Sequence, residues 1–241
     1  MLEGKTAVIY GGGGSIGGAV ARAFAREGAR VHLTGRTLAS VQPLAEEIGA
    51  VAAEVDALDE RAVDAHADAL GALDISFNAI THGDVQGTPM HEMDVEDYLA
   101  PVATAVRTTF LTMRAAARQM IPGGGGTILI FGGEGDPPRG YHLGGLQTAF
   151  HALEAMRRQL SVELGAQGVR VITLRSGGVP ESISPDFEGR ERIVRGLEDA
   201  TLLGRCATFE DVGNAAVFAA SKWGSAMTGA TINVSCGSLL D

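Results

Sequence analysis

The chain has 241 residues, 45% of them hydrophobic, and a formal net charge of −10. That is enough apolar material for one sizeable core and nothing that forces a division, so a single domain over 1–241 is expected. The charge leaves no basic surface to neutralise a phosphate backbone, which excludes nucleic acid as a partner. No apolar run approaches the roughly 20 residues that span a bilayer, which excludes a membrane span. The opening MLEGKTAVIYGG enters a strand without a charged leader and apolar segment, and Cys206 and Cys236 lack the close Cys/His spacing of a metal site. A cytoplasmic protein with reduced thiols and no metal is the expectation.

In chain order, seven short runs read as strands: TAVIY at 6–10, ARVHL at 29–33, AVAAEV at 50–55, LDISFN at 73–78, GTILIF at 126–131, VRVITL at 169–174 and ATINV at 230–234. Segments with apolar residues at helical spacing separate them. The pattern predicts an α/β, doubly wound Rossmann fold: a seven-stranded parallel sheet with helices on both faces. Ligands of such sheets bind beyond the carboxyl ends of the strands, here after Tyr10, Asn78, Phe131 and Leu174.

The run GGGGSIGGAVARAFAREG follows the first strand and opens a helix, the context that a phosphate cradle requires. It reads in two registers. Gly12, Gly14 and Gly17 satisfy G-x-G-x-x-G, whereas Gly11, Ser15 and Gly17 nearly satisfy G-x-x-x-G-x-G with serine at the middle position. Gly11, Gly14, Ser15, Ile16 and Gly17 are thus the candidate pyrophosphate contacts, and close packing of helix on strand is the competing structural reason for the glycines. The other glycine run, 123–126, precedes a strand and reads as a turn. The second strand ends in LTGRT, with Gly35 and Arg36 where NAD-specific folds hold a carboxylate for the ribose 2′-hydroxyl. Arginine there favours a 2′-phosphate, hence NADP(H), unless it is a plain surface residue. Asp56 is placed to reach the adenine amino group or to cap a helix, and Asn78 lies beneath the nicotinamide side.

These residues resemble the short-chain dehydrogenase/reductase family over nearly the whole chain. GGGGSIGGAVARAFAREGARV is similar to its TGxxxGIG segment and LDISFNAI to its NNAG strand. SGGVPES is similar to its PG loop, which implicates Val179 in cofactor binding. GRCATFEDVGNAAVFAAS and TGATINVSCG resemble its last helix and strand. The resemblance implies the fold, a nicotinamide cofactor and a substrate lid at 180–205. It also implies a catalytic set of Asn, Ser and Tyr-x-x-x-Lys, and none of the four is found. The aligned positions carry Ala105, Gly133, Leu146 and Phe150. The only lysines are Lys5 and Lys222. In the family, the lysine bonds the nicotinamide ribose and lowers the pKa of the tyrosine that passes a proton to the substrate.

The loop 132–145 carries substitutes: Glu134, Asp136, Arg139, Tyr141 and His142. His142 reaches the face of Leu146 if the fifth helix extends back one turn, Tyr141 is the second candidate acid, and His82 is the third. Leu146, Phe150, Leu153, Leu160 and Leu164 read as an apolar packing stripe. Phe187, Ile193 and Leu197 in the lid, with Met90, Met93 and Leu143, favour a predominantly apolar small-molecule substrate. The expected activity is an NADP(H)-dependent oxidoreductase reducing a carbonyl, an imine or an activated C=C bond at an atypical site. One alternative is a ketoreductase using His142 or Tyr141. The other is a catalytically degenerate relative that binds cofactor or a partner. A homo-oligomer, most simply a tetramer, is expected through helices four and five, with Ala115, Ala116 and Ala117 permitting close helix approach.

Overall fold

The computed structural model describes residues 1–133 and 141–240, so Glu134, Asp136 and Arg139 lie outside the described residues. All seven expected strands form: β1 Thr6–Tyr10, β2 Arg30–Gly35, β3 Val51–Glu54, β4 Ile75–Asn78, β5 Gly126–Gly132, β6 Val169–Arg175 and β7 Ala230–Asn233. They make one sheet in the order β3-β2-β1-β4-β5-β6-β7, with every neighbouring pair parallel. The order reverses between β1 and β4, and the crevice there is where doubly wound sheets take ligands.

Among the described residues, seven α-helices connect the strands: α1 Ser15–Arg26, α2 Gln42–Ile48, α3 Glu60–Leu70, α4 Val95–Met120, α5 Leu146–Leu164, α6 Arg190–Asp199 and α7 Phe209–Ala220. Side chains alternate across a strand. In β1, Ala7 and Ile9 therefore join the core made with α1, α2 and α7, while Val8 and Tyr10 join the one made with α3, α4 and α5. The first core is tight enough that a Cβ added at Gly213 of α7 would stand 2.8 Å from the Ala23 methyl of α1. A capping box between Thr208 and Asp211 starts α7, and Arg205 clamps Asp211 at 2.6 Å.

One expectation about the long helices needs correction. Ala115, Ala116 and Ala117 are buried within the single chain, where their small side chains let α4 lie close to its own neighbours rather than to another copy. On α5, Leu153 and Leu164 of the expected apolar stripe are buried, with Phe150 and Leu160 packed against them, and the face that meets β6 and β7 holds charge as well. Between Leu153 and Leu160 it buries Glu154 and Arg157, paired at 2.6 Å. Their mutual neutralisation is what allows them inside. The turn reading of 123–126 holds for its first three residues: Gly124 and Gly125 have φ of +84° and +129°, and Gly126 already begins β5. Among the described residues, no helix is long and apolar enough to cross a membrane.

Candidate active site

A cleft of about 400 Å³ opens at the carboxyl ends of β1 to β4. Its floor is the β1–α1 loop, whose glycines the backbone requires. Gly11 has φ of +78°, and a Cβ there would stand 2.8 Å from the Ala79 carbonyl oxygen. A Cβ on Gly13 would press on the Ser40 carbonyl, and one on Gly17 on the Gly11 carbonyl. Backbone carbonyls cannot swing aside as a side chain does. No side chain caps α1 at Gly14, so its first-turn N–H groups and the positive end of its dipole remain available to an anion. The cradle fits a dinucleotide diphosphate on these grounds.

Of the cofactor contacts expected from the sequence, Gly11, Gly14, Arg36 and Asp56 line the cleft. Ser15, Ile16 and Gly17 form the first turn of α1 beside it. Arg36 is exposed at the end of β2 and makes no ion pair among the described residues. Asp56 accepts a hydrogen bond from the Leu58 amide at 3.0 Å, and the cap of α3 is Asp59, three residues on. Asn78 is buried: its amide donates to Thr112 Oγ1 at 3.0 Å and its carbonyl accepts from the Ile80 amide at 3.0 Å. Its side chain thus shapes the Ala79–Gly83 loop from below. Val179 is buried against the α1–α7 core and begins the short turn Pro180–Ser182.

The cleft has further walls that pattern reading did not single out as cofactor contacts: Gly13, Ser40, Leu58, Ile80 and Thr81, with Thr104 and Thr108 of α4. All but the last two fall in loops leaving β1, β2, β3 and β4, so their place at the same ends of the strands was the signal available.

At the α5 end stand Ala105, Gly133, Leu146 and Phe150, the positions that the resemblance aligned with the family's catalytic set. Phe150 lies over Gly133: a Cβ added at Gly133 would stand 2.8 Å from Phe150 Cε2. The two residues belong together, because a side chain at 133 and the ring at 150 would compete for one volume. Ala105 is fully buried, and Leu146 is half-buried. Lys5 stands at the opposite end of the sheet, bonded to Asp74 at 2.8 Å, and Lys222 follows α7. Tyr10 is buried with its phenol held well above the ordinary range, by burial first and by Asp64 second. Tyr98 shares a 2.7 Å hydrogen bond with Thr148, tying α4 to α5.

The expected backward extension of α5 does not occur. The helix begins at Leu146, and Gly144, at φ +52°, breaks the turn that would have carried His142 onto its face. His142 and Tyr141 are exposed on the approach to the helix, and neither lines the cleft. The His142 carbonyl accepts from the Gly87 amide at 2.8 Å, and the Tyr141 hydroxyl lies near Gly196 of α6, in the lid segment. His82 does line the cleft, with its ring edge-on to Phe150 at 5.9 Å between centroids. Burial holds its pKa below the ordinary histidine value, against a weaker upward pull from Asp84.

A family model described as enoyl-(acyl carrier protein) reductase matches residues 12–238. Galactitol 2-dehydrogenase (L-tagatose-forming) of Cereibacter sphaeroides is 31% identical over 98% of this chain and 95% of its own length. Enoyl-[acyl-carrier-protein] reductase [NADH] 1 of Rhizobium meliloti (strain 1021) is 31% identical over 98% of this chain and 91% of its own. Among solved structures, a short-chain type dehydrogenase/reductase from Mycobacterium ulcerans superposes with a TM-score of 0.88 at 26% identity, covering 98% of this chain and 90% of that one. A 7α-hydroxysteroid dehydrogenase complexed with NADH and 7-oxo glycochenodeoxycholic acid superposes with a TM-score of 0.86 at 26% identity, over 100% and 96%. With the parallel sheet, the glycine cradle and these likenesses in agreement, the chain belongs to the short-chain dehydrogenase/reductase family of nicotinamide-dependent oxidoreductases.

Proposed function

We propose that the protein is an NADP(H)-dependent oxidoreductase that reduces a carbonyl, an imine or an activated C=C bond of an apolar small molecule, at a site without the family's phenol and lysine. The observation that carries this reading is the cleft itself, a glycine cradle with Arg36 at its β2 side, in no ion pair among the described residues, and no carboxylate within that strand. The first turn of α1, with Gly11 and Gly14, holds the diphosphate, Arg36 the 2′-phosphate and Asp56 the adenine side, with Asn78 and Val179 supporting the nicotinamide side. When bound, the reduced nicotinamide supplies the hydride. Leu146 and Phe150 keep water from the reacting end. Tyr141 and His142, beside the lid segment 180–205, are the proposed proton donors. General acid help is worth on the order of 10²- to 10⁴-fold in rate, so its weakening slows a reductase without removing hydride transfer. A conjugated alkene, whose acceptor needs polarising more than protonation at oxygen, suits such a site best. The enoyl reductase likenesses point the same way.

Titration of the protein with NADPH and NADH tests the cofactor assignment. NADPH should bind at least about tenfold more tightly, and Arg36→Ala should close most of that gap, because a guanidinium on the 2′-phosphate is the contact that separates the two. Equal affinities before and after the substitution would sink the assignment. A screen over ketones, imines and enones with the preferred cofactor then identifies the reaction.

Within the same reading the protein works in the cytoplasm, where Cys206 and Cys236, both free, stay as thiols. It assembles as a homotetramer through exposed apolar side chains on α4 and α5: Leu99, Phe110 and Val162, the last 83% exposed. Light scattering at micromolar concentration should give about four times the chain's 24.9 kDa. A stable monomer refutes the assembly.

A further inference from the structure

Beyond β1 the cleft runs toward β4 and α5, and its wall there carries an imidazole whose ring nitrogens have no hydrogen bond among the described residues. His82 is half-buried in the Ala79–Gly83 stretch, lines the cleft and packs on Phe150. Neither nitrogen is in a hydrogen bond among the described residues. The Phe150 contact holds the ring at the wall without consuming a polar atom.

Burial disfavours the charged form and outweighs Asp84, so the ring is neutral near pH 7. A neutral imidazole offers one donor and one acceptor. That matches a pair of neighbouring hydroxyls, each of which both gives and takes a hydrogen bond. It is a poor match for a phosphate, which only accepts. Neutrality also makes it a weak proton donor at that pH, which turns His82 away from the acid role.

Topology says which hydroxyls are in reach. Arg36 and Asp56 follow β2 and β3, on one side of β1, and the Gly11–Gly14 loop follows β1 itself. A dinucleotide with its adenosine at Arg36 and its diphosphate at the loop therefore carries its second ribose across β1 toward β4. His82 stands there. We infer that His82 hydrogen-bonds the hydroxyls of the nicotinamide-side ribose and is the second anchor of the cofactor, with Phe150 as the residue that positions it. This rests on the reading of the cleft as an NADP(H) site.

Calorimetric titration of the full chain with two probes tests it: NADP⁺, and adenosine 2′,5′-bisphosphate, which has the adenosine half and no second ribose. His82→Ala should weaken NADP⁺ about tenfold, the worth of one or two neutral hydrogen bonds. It should leave the bisphosphate affinity unchanged, which also shows that the variant is folded. His82→Asn, which keeps a donor and an acceptor, should recover part of the loss. An unchanged NADP⁺ affinity in His82→Ala, or an equal loss for both probes, overturns the ribose anchor while the cleft reading stands, provided Arg36→Ala weakens the bisphosphate. If the unsubstituted chain binds neither probe, or Arg36→Ala leaves the bisphosphate unaffected, the cleft reading fails and takes the anchor with it.

Discussion

Glu154→Ala is expected to lower folding stability by about 3–5 kcal/mol, because it leaves a guanidinium buried without its counter-charge. The Glu154 and Arg157 side chains are 6% and 4% exposed. The Glu154 carboxylate accepts from Arg157 Nη2 at 2.6 Å and Nε at 3.1 Å, from Thr173 Oγ1 at 2.5 Å and from Thr231 Oγ1 at 3.1 Å. Arg157 also donates to the Gly229 carbonyl. The cluster thereby pins α5 to β6 and β7. Replacing both members with leucine and methionine should cost far less than the single change, since an apolar pair needs no partner. Urea denaturation measures both variants, and a loss under about 1 kcal/mol in Glu154→Ala would mean that water reaches Arg157. The pH dependence follows in sign. Burial raises the carboxyl pKa, but the bonds from Arg157, Thr173 and Thr231 and the charge of Arg157 lower it more. The folded value therefore lies below the unfolded one, near about 4.3. The contribution is complete above that range and is lost as pH falls through the folded value, a loss that Glu154→Gln should not show.

Gly17→Ala is expected to weaken NADPH binding by about 10- to 100-fold, because the new methyl would force the first turn of α1 away from the Gly11 carbonyl. The neighbouring Gly18→Ala is the matched comparison. Its methyl would meet Leu44 Cδ2 at 3.3 Å and Arg22 Nη1 at 3.4 Å, the ends of side chains that can shift. It should bind NADPH normally and gain the helix preference of alanine, about 0.5–1 kcal/mol. Fluorescence titration of the two proteins decides the matter: equal affinities would show that the cradle tolerates what the backbone spacing forbids.

The strands and their order were legible because buried parallel strands are runs of β-branched residues, and each glycine or helix between them is punctuated by local chemistry. Only the ends moved: β2 runs on to Gly35, and β3, exposed at the sheet edge, is trimmed to Val51–Glu54. The cradle was legible for the same reason, since Gly11 to Gly17 are neighbours in sequence. What the sequence hid was whatever depends on distant residues meeting. Gly133 and Phe150 read as two separate replacements until the fold laid one over the other. The burial of Glu154 and Arg157 stayed hidden likewise, because periodicity counts apolar positions and does not register a pair that neutralises itself. The failure of His142 as a helical neighbour of Leu146 was partly legible, since glycines at 144 and 145 weaken a helical turn, and Gly144 takes φ of +52°.

The close seat of α7 on α1 bears on how the protein is made. The cofactor cradle and α1 leave the ribosome well before α7, the helix that backs α1 with Gly213 set against Ala23. Val20 and Phe24, fully buried in the finished protein, face Val212, Ala216 and their neighbours in the same core. Until synthesis reaches α7, that side of α1 has no cover, and the nascent chain presents a sticky apolar flank beside a half-built phosphate site. The backing of the cradle is therefore completed late, only once α7 has met α1.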